Sequence, residues 1–208
     1  RPAKETPAAQ LAYAAALEQS GRLRKAGRQY RALVHRWHDT PQAIKAQRAY
    51  AGILEDRGKL DAAFDEYQYL VDFYAGRFDY TDVLEHQFRI AHAVMNRRYG
   101  GLLFLPGFKS PGRALPLFKQ IAENAPTWSR APQVQFYIGV IQEDENEYAA
   151  AIDAYEELRQ RWPRHELAAA AAYRGAGCLV EIADRSPRDE RGCQRALEAL
   201  AGFIRDYP

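Results

Sequence analysis

The 208-residue sequence predicts an all-α fold, a solenoid of about five helix pairs. Three observations lead to this prediction. A frame that pairs an alanine with apolar residues four and seven positions later recurs five times, and an aromatic or small residue follows at eleven. Proline comes directly after three of the copies, and a glycine or asparagine recurs in the links before three of them. The frames begin at Ala26, Ala63, Ala114, Ala151 and Ala196.

Offsets of four, seven and eleven residues lie on one face of an α-helix, so each frame predicts one amphipathic helix. A proline directly after the frame ends that helix, as at Pro126, Pro163 and Pro208. The frame alanines are separated by 37, 51, 37 and 45 residues. The two longer steps predict insertions between the helices of the third and fifth pairs, near residues 100–112 and 185–193.

A partner helix precedes each frame helix, as in Leu11–Ser20, Ala43–Arg57 and Pro132–Glu145. Twelve residues before the frame alanine stands a small residue that lets two helices cross closely. This residue is Ala14, Ala51 or Gly139 in repeats 1, 2 and 4; Ala91 and either Gly175 or Ala176 are the candidates in repeats 3 and 5. The links hold Gly21, Gly58 and Asn146, which tolerate the left-handed conformation that ends a helix.

The small residue, glycine turn, alanine, aromatic and terminal proline resemble the tetratricopeptide repeat in kind and order. The resemblance covers residues 11–208 and implies ten helices in five antiparallel pairs, wound into a right-handed superhelix without a sheet. Residues 1–10 read as a tether or as the edge of an expressed segment.

The chain also resembles the BamD family, lipoproteins of the outer-membrane β-barrel assembly machinery. The segments LRQRWPRHELAAAAAYRGAG and LAGFIRDYP read like that family's repeat ends, and the family carries a loop in its third repeat. The resemblance implies a non-catalytic periplasmic scaffold that binds the β-barrel assembly subunit or unfolded outer-membrane proteins, with the membrane reached through an upstream lipid anchor. The alternative is a generic tetratricopeptide adaptor in another envelope or secretion complex, or in the cytoplasm.

Composition argues against several other functions. The 29 basic and 27 acidic residues give a net charge of +2, so no general attraction to nucleic acid follows. His35 and His38 are three residues apart but lack a third metal ligand nearby, and no phosphate-binding loop or catalytic motif is present. We therefore predict no enzyme activity, no catalytic or metal-binding residue and no cofactor.

In the tetratricopeptide family, exposed positions of the first helix of each pair contact ligand. Transferred to this chain, the resemblance predicts a peptide-binding groove formed by Lys45, Arg48, Glu55, Asp56, Gln133, Phe136 and Val140. Lys45 and Arg48 lie one turn apart and would hold a peptide carboxylate, while Phe136 and Val140 would seat an apolar side chain.

Two further features lie at the insertions. The first insertion contains large apolar residues that either fold back on the groove or offer a surface to a partner: Leu102, Leu103, Phe104, Leu105 and Phe108. Cys178 and Cys193 flank the second insertion, where they either form a disulfide or remain two separate thiols.

Overall fold

The computed structural model describes residues 1–99 and 108–207, and over those residues it contains ten α-helices in five consecutive pairs. The predicted all-α array of five pairs is confirmed. The helices are α1 Pro7–Gln19, α2 Leu23–Arg36, α3 Pro41–Asp56, α4 Leu60–Phe73, α5 Tyr80–Asn96, α6 Leu115–Asn124, α7 Ala131–Asp144, α8 Tyr148–Arg161, α9 Leu167–Arg185 and α10 Glu190–Asp206.

The chain divides into two compact units, Arg1–Ala93 (unit 1) and Val94–Pro208 (unit 2). Unit 1 holds repeats 1 and 2 and most of α5; unit 2 holds α6 and repeats 4 and 5. Helix α1 begins at Pro7, inside the segment that the sequence suggested as a tether, because the Thr6 side chain caps it. The backbone N–H groups of Ala3 and Lys4 both donate to Gln10 Oε1 over 2.9 Å, which fixes this segment to α1.

The turns within repeats 1, 2 and 4 have the predicted left-handed residue. Gly21, Gly58 and Asn146 have φ values of 73°, 67° and 64°. In repeat 1, the N–H of Gly21 donates to Glu18 O and that of Arg22 donates to Leu17 O, and the other two turns repeat both bonds. This pattern satisfies carbonyls at the end of the first helix and turns the chain into the second.

In repeats 1 to 4 the first three residues of each frame form the core, as the sequence predicted. The frame alanines are buried, and the aromatics at the next frame position, Tyr30, Tyr67, Phe118 and Tyr155, are at most 2% exposed. Ala91 in α5 and Ala176 in α9, two of the candidates for the small position in repeats 3 and 5, are also buried. Gly139 shows why a small residue is needed, because a Cβ there would lie 2.5 Å from Cε1 of Tyr155.

Buried glutamines join the two helices of three pairs, a feature that the sequence analysis did not anticipate. Each lies on the first helix, and its side-chain amide donates to the backbone carbonyl directly before the frame aromatic. The bonds are Gln10 to Gln29 O at 3.0 Å, Gln47 to Glu66 O at 2.9 Å, and Gln135 to Ala154 O at 3.1 Å. A buried amide needs such partners, because burial without them is destabilising.

The structure of the first insertion contradicts the prediction that the fold contains no sheet. Two-residue strands, β1 (Arg98–Tyr99) and β2 (Phe108–Lys109), pair antiparallel at its base, and a 3-10 turn at Pro111–Ala114 leads into α6. Phe108 therefore takes part in a backbone ladder opposite Tyr99. Leu102, Leu103, Phe104 and Leu105 lie outside the described residues, so both interpretations of this segment stay predictions.

Most of the second insertion is helical and forms only a short loop. Helix α9 continues through Arg185 and α10 begins at Glu190, so the turn spans only residues 186–189 of the predicted 185–193. Cys178 and Cys193 are both free thiols, on α9 and α10 respectively. Cys178 is buried, and burial raises the pKa of its thiol to about 11.

Candidate protein-interaction surface

A tyrosine–glutamate pair recurs inside three helix pairs. The frame tyrosine donates its hydroxyl to a glutamate twelve residues earlier, at the end of the first helix. The distances are 2.6 Å for Tyr30–Glu18, 3.2 Å for Tyr67–Glu55 and 2.7 Å for Tyr155–Glu143. The pKa of all three phenols is raised, chiefly by burial and next by the neighbouring glutamate carboxylate. The tyrosine hydroxyls therefore keep their protons and act as donors at any physiological pH.

In unit 1, the first helix of repeat 3 completes the environment of Glu55. His86 Nδ1 lies 2.6 Å from Glu55 Oε2, and the imidazole ring stacks on Tyr67 with centroids 4.7 Å apart. Arg89 binds the other oxygen, with Nε 2.9 Å and Nη2 2.8 Å from Oε1. Both oxygens of this carboxylate, whose side chain is 14% exposed, are therefore hydrogen-bonded by the protein itself.

Arg48, one of the residues predicted to hold a peptide carboxylate, is already bound to a carboxylate of the protein. Its Nε and Nη2 donate to the two oxygens of Asp82 over 2.7 and 2.8 Å. This hydrogen bonding lowers the pKa of Asp82. Lys45 and Asp56 are exposed. The structure thus brings Arg48 together with Asp82, and Glu55 with His86 and Arg89, and the predicted cationic clamp is reduced to Lys45.

In unit 2, the equivalent glutamate is only half surrounded. Glu143 Oε2 accepts from Tyr155 and from Arg174 Nε, both within 2.9 Å. Arg174 follows Tyr155 by nineteen residues, as His86 follows Tyr67, and it also donates to the tyrosine oxygen at 2.9 Å. Glu143 Oε1 accepts no hydrogen bond from the described part of the chain.

The residue that would cover Glu143 Oε1 is a glycine. Gly177 occupies the position in α9 that Arg89 occupies in α5, and a Cβ added to Gly177 would meet nothing within 4 Å. A glycine inside a helix is about 1 kcal/mol less favourable than alanine. No packing within the described structure requires this glycine, in contrast to Gly139. It leaves the α9 backbone accessible one turn after Arg174, the residue that binds the partly satisfied carboxylate.

Apolar side chains that are exposed or half-buried lie on both of these helices, α7 and α9. Phe136 and Val140 of α7 are half-buried against the core cluster of unit 2, and the Phe136 ring lies 5.8 Å from that of Tyr155. Tyr173 of α9 is 59% exposed. We call the set Phe136, Val140, Glu143, Tyr173 and Gly177 the α7–α9 surface. Gln133, one turn before Phe136, has a buried Oε1 without a hydrogen-bond partner in the described structure.

Sequence reasoning identified Phe136, Val140 and Glu55 but missed the residues that complete each cluster. His86, Arg89, Arg174 and Gly177 are not among the residues that the sequence predicted for the site. A signal was present, because a glutamate stands twelve residues before the frame tyrosine in three repeats. Aligning the repeats at that spacing would have placed His86 and Arg174 at one common position.

Within residues 1–99 and 108–207, no group of three or more His, Cys, Asp or Glu side chains is arranged to hold a metal ion. None of the helices in that part of the chain combines the length and apolar character needed to cross a bilayer.

No protein-family model matches the sequence, and no curated protein matches it. Among solved structures, the chain is similar to YrrB, a TPR protein with an unusual peptide-binding site, at 16% identity over 96% of this chain and 85% of that one, with a TM-score of 0.43. It is similar to MamA from Desulfovibrio magneticus at 11% identity, over 97% of this chain and 95% of that one, with a TM-score of 0.44. A tetratricopeptide repeat protein from Parabacteroides merdae is 12% identical over 96% of this chain and 77% of its own, with a TM-score of 0.44.

Proposed function

We propose that the chain is a non-catalytic scaffold that holds an extended peptide segment of a partner protein on the α7–α9 surface. The observation that carries this proposal is the opening at Gly177 beside the half-satisfied carboxylate of Glu143. In unit 1 the corresponding carboxylate is closed by Arg89. A carboxylate with a free oxygen next to bare helix backbone is suited to a donor supplied by another chain.

The chemistry of the surface defines the peptide. A Lys or Arg side chain of the partner would bind Glu143 Oε1, where Arg89 binds Glu55 in unit 1. A neighbouring apolar side chain would pack between Phe136 and Val140 on one helix and Tyr173 on the other. The absence of a side chain at Gly177 lets the peptide backbone approach α9 closely. The proposed ligand is therefore a segment that combines one basic with one large apolar residue.

More specifically, we assign the scaffold to the periplasmic side of the outer membrane, in a BamD-like role toward unfolded β-barrel proteins or the β-barrel assembly subunit. The W-P and Y-P repeat ends and the long third-repeat insertion support this assignment. The alternative is a generic adaptor in another envelope or secretion complex. It uses the same surface, so the two functions differ in the partner and not in the binding mode.

The binding surface is tested with Gly177→Arg, which places in unit 2 the cation that unit 1 has in Arg89. The probe is a fluorescent peptide in which an arginine and a phenylalanine are two residues apart, titrated by anisotropy. We expect at least a tenfold loss of affinity, since the new side chain neutralises Glu143 and fills the opening; a tenfold change corresponds to about 1.4 kcal/mol. Ala149→Arg, which adds the same charge at an exposed position of α8, serves as the matched control.

Equal affinity of the Gly177→Arg variant and the wild type would exclude the α7–α9 surface. The specific assignment needs a second titration, with carboxy-terminal segments of outer-membrane barrel proteins and with the barrel assembly subunit. If neither binds the wild-type chain while the arginine–phenylalanine peptide does, the adaptor alternative replaces the BamD-like role.

A further inference from the structure

Helix α2 carries a stripe of positive charge on its outer face. Its fourteen residues include five Lys or Arg and no Asp or Glu. Arg24, Arg28, Arg31 and His35 follow each other at spacings of four, three and four residues, so they lie on one face, and all are exposed. Among the described residues, none of the three arginines has an ion-pair partner. A solvated helix face usually mixes both signs of charge, so this stripe is unusual.

Helix α4 has the opposite charge at the same positions. It contains four Asp or Glu and no Lys or Arg. Thirty-seven residues after Arg24, Arg28 and His35 stand Asp61, Asp65 and Asp72. The repeat frame therefore places two arginines and a histidine on one second helix where it places three aspartates on the next.

The two charged helices are neighbours within unit 1. A groove between them is lined by Arg31 and His35 of α2 and by Glu66 and Tyr69 of α4, and Gln47 of α3 contributes to its lining. Tyr74, directly after α4, also donates its hydroxyl to His38 O, directly after α2, over 2.9 Å. A positive and a negative stripe thus run side by side on one surface.

We propose that this surface binds a second copy of the chain in a two-fold symmetric dimer. A two-fold axis parallel to the helices and midway between them brings α2 of each copy onto α4 of the other. Arg28 then faces Asp65 of the second copy, and the same pair forms a second time by symmetry. Adjacent stripes of opposite charge are self-complementary under this operation, which is the requirement for an isologous interface.

The neighbouring acidic stripe argues for a second copy over an anionic membrane. A negatively charged lipid surface would attract α2 but repel the aspartates of α4 beside it, whereas a second copy satisfies both. Two helices of this length present a face of about 20 by 20 Å, so the interface is at the small, transient end of the known range. We therefore expect association in the micromolar range that weakens as salt shortens the screening length from about 10 Å at 0.1 M to about 3 Å at 1 M.

The test is a pair of charge reversals in the full chain, followed by analytical ultracentrifugation from 10 to 500 μM. Arg28→Asp places aspartate against aspartate in the dimer, and Asp65→Arg places arginine against arginine, so each variant alone is expected to be monomeric where the wild type dimerises. An equimolar mixture of the two variants restores attraction in both pairs. We expect this mixture to form a heterodimer with an affinity within about threefold of the wild type, because the two pairs are only exchanged.

Both substituted residues are exposed, and circular dichroism verifies that the variants stay folded. Asp56→Arg, an exposed reversal at the end of α3, is the matched control and should dimerise like the wild type. A wild-type chain that is monomeric at 500 μM in 50 mM salt overturns the proposal, as does a mixture that stays monomeric. Sedimentation of a monomeric wild type with phosphatidylserine-containing vesicles, lost in Arg28→Asp, would assign the α2 stripe to a membrane surface instead.

Discussion

Repeat 2 with helix α5 in unit 1, and repeats 4 and 5 in unit 2, use one scaffold for two different surfaces. Corresponding positions lie 88 residues apart, as Tyr67 and Tyr155 do. The glutamate–tyrosine pair is present in both units. The residues around it differ, since Arg48 corresponds to Phe136, Asp82 to Ala170 and Arg89 to Gly177.

The comparison separates what the fold requires from what it permits. The Glu–Tyr bond joins the two helices of one pair, and it recurs in repeat 1, so we interpret it as part of the fold. The positions around it contact the frame tyrosine in both units, but they carry a closed network of ion pairs in unit 1 and an open apolar surface in unit 2. A surface that satisfies its own charges has little left for a ligand, which is why the proposed peptide site lies in unit 2.

The largest difference between the units is expected at the small position beneath the frame tyrosine. Gly139→Val in unit 2 drives side-chain atoms into the ring of Tyr155, which is 1% exposed, so we expect a loss of about 3 kcal/mol in the free energy of unfolding. Ala51→Gly at the same position in unit 1 should lose only about 1 kcal/mol through helix propensity. Urea denaturation followed by circular dichroism measures both; a loss for Gly139→Val no larger than that for Ala51→Gly would contradict the clash with Tyr155.

The next largest effect concerns the shared glutamate. Glu55→Ala leaves His86, Arg89 and Tyr67 without their common acceptor and should lower the free energy of unfolding by about 2–3 kcal/mol. Glu143→Ala should cost about 1–2 kcal/mol, because fewer donors are left and the side chain is 28% exposed. Thermal unfolding with the exposed Glu156→Ala as control measures the difference. A greater loss for Glu143→Ala than for Glu55→Ala would contradict the description of the Glu55 cluster as closed and of the Glu143 cluster as open.

The smallest effect is a pH dependence of the free energy of unfolding, which arises in unit 1 from the Arg48–Asp82 pair. The pKa of Asp82 is lowered in the folded chain by its hydrogen bonds to Arg48, from an ordinary value of 3.8. A depressed carboxyl pKa contributes stability above the unfolded-state value, and that contribution is lost as the pH falls through the folded-state value.

Asp82→Asn should therefore reduce stability at pH 7 by at most about 1 kcal/mol, since the pair is largely exposed. The difference from the wild type should shrink below about pH 4, the range in which the unfolded-state carboxyl titrates. Urea titrations at pH 7 and pH 3 provide the measurement. A difference that is constant between these pH values would mean that the ion pair does not contribute.

The architecture was predictable because it depends on local periodicity, whereas the clusters depend on contacts between repeats. Spacing alone identifies frame residues such as Ala63, Tyr67 and Leu70, and the left-handed turn at Asn146 follows from its place in the link. His86 and Arg174 reach the glutamate of the preceding pair only because the first helix of the next pair packs beside it, and this packing is not visible in the sequence. The open space over Gly177 could not be read from sequence, since it depends on which side chains fail to reach that point. The predicted second insertion became mostly helix because its residues continue α9 and begin α10.

The buried glutamines have a mechanical consequence for the helix pairs that contain them. Each of Gln10, Gln47 and Gln135 donates to a backbone carbonyl of the opposite helix in its own pair. Sliding one helix along the other by even one residue would separate the amide from that carbonyl in a place that water does not reach, so each pair resists shear. Under tension, we expect these pairs to behave as stiff blocks and the strain to concentrate at the seams between them. A partner that pulls on the scaffold would therefore change the spacing between pairs, and with it the α7–α9 surface, which spans repeats 4 and 5, before it deforms the interior of a pair.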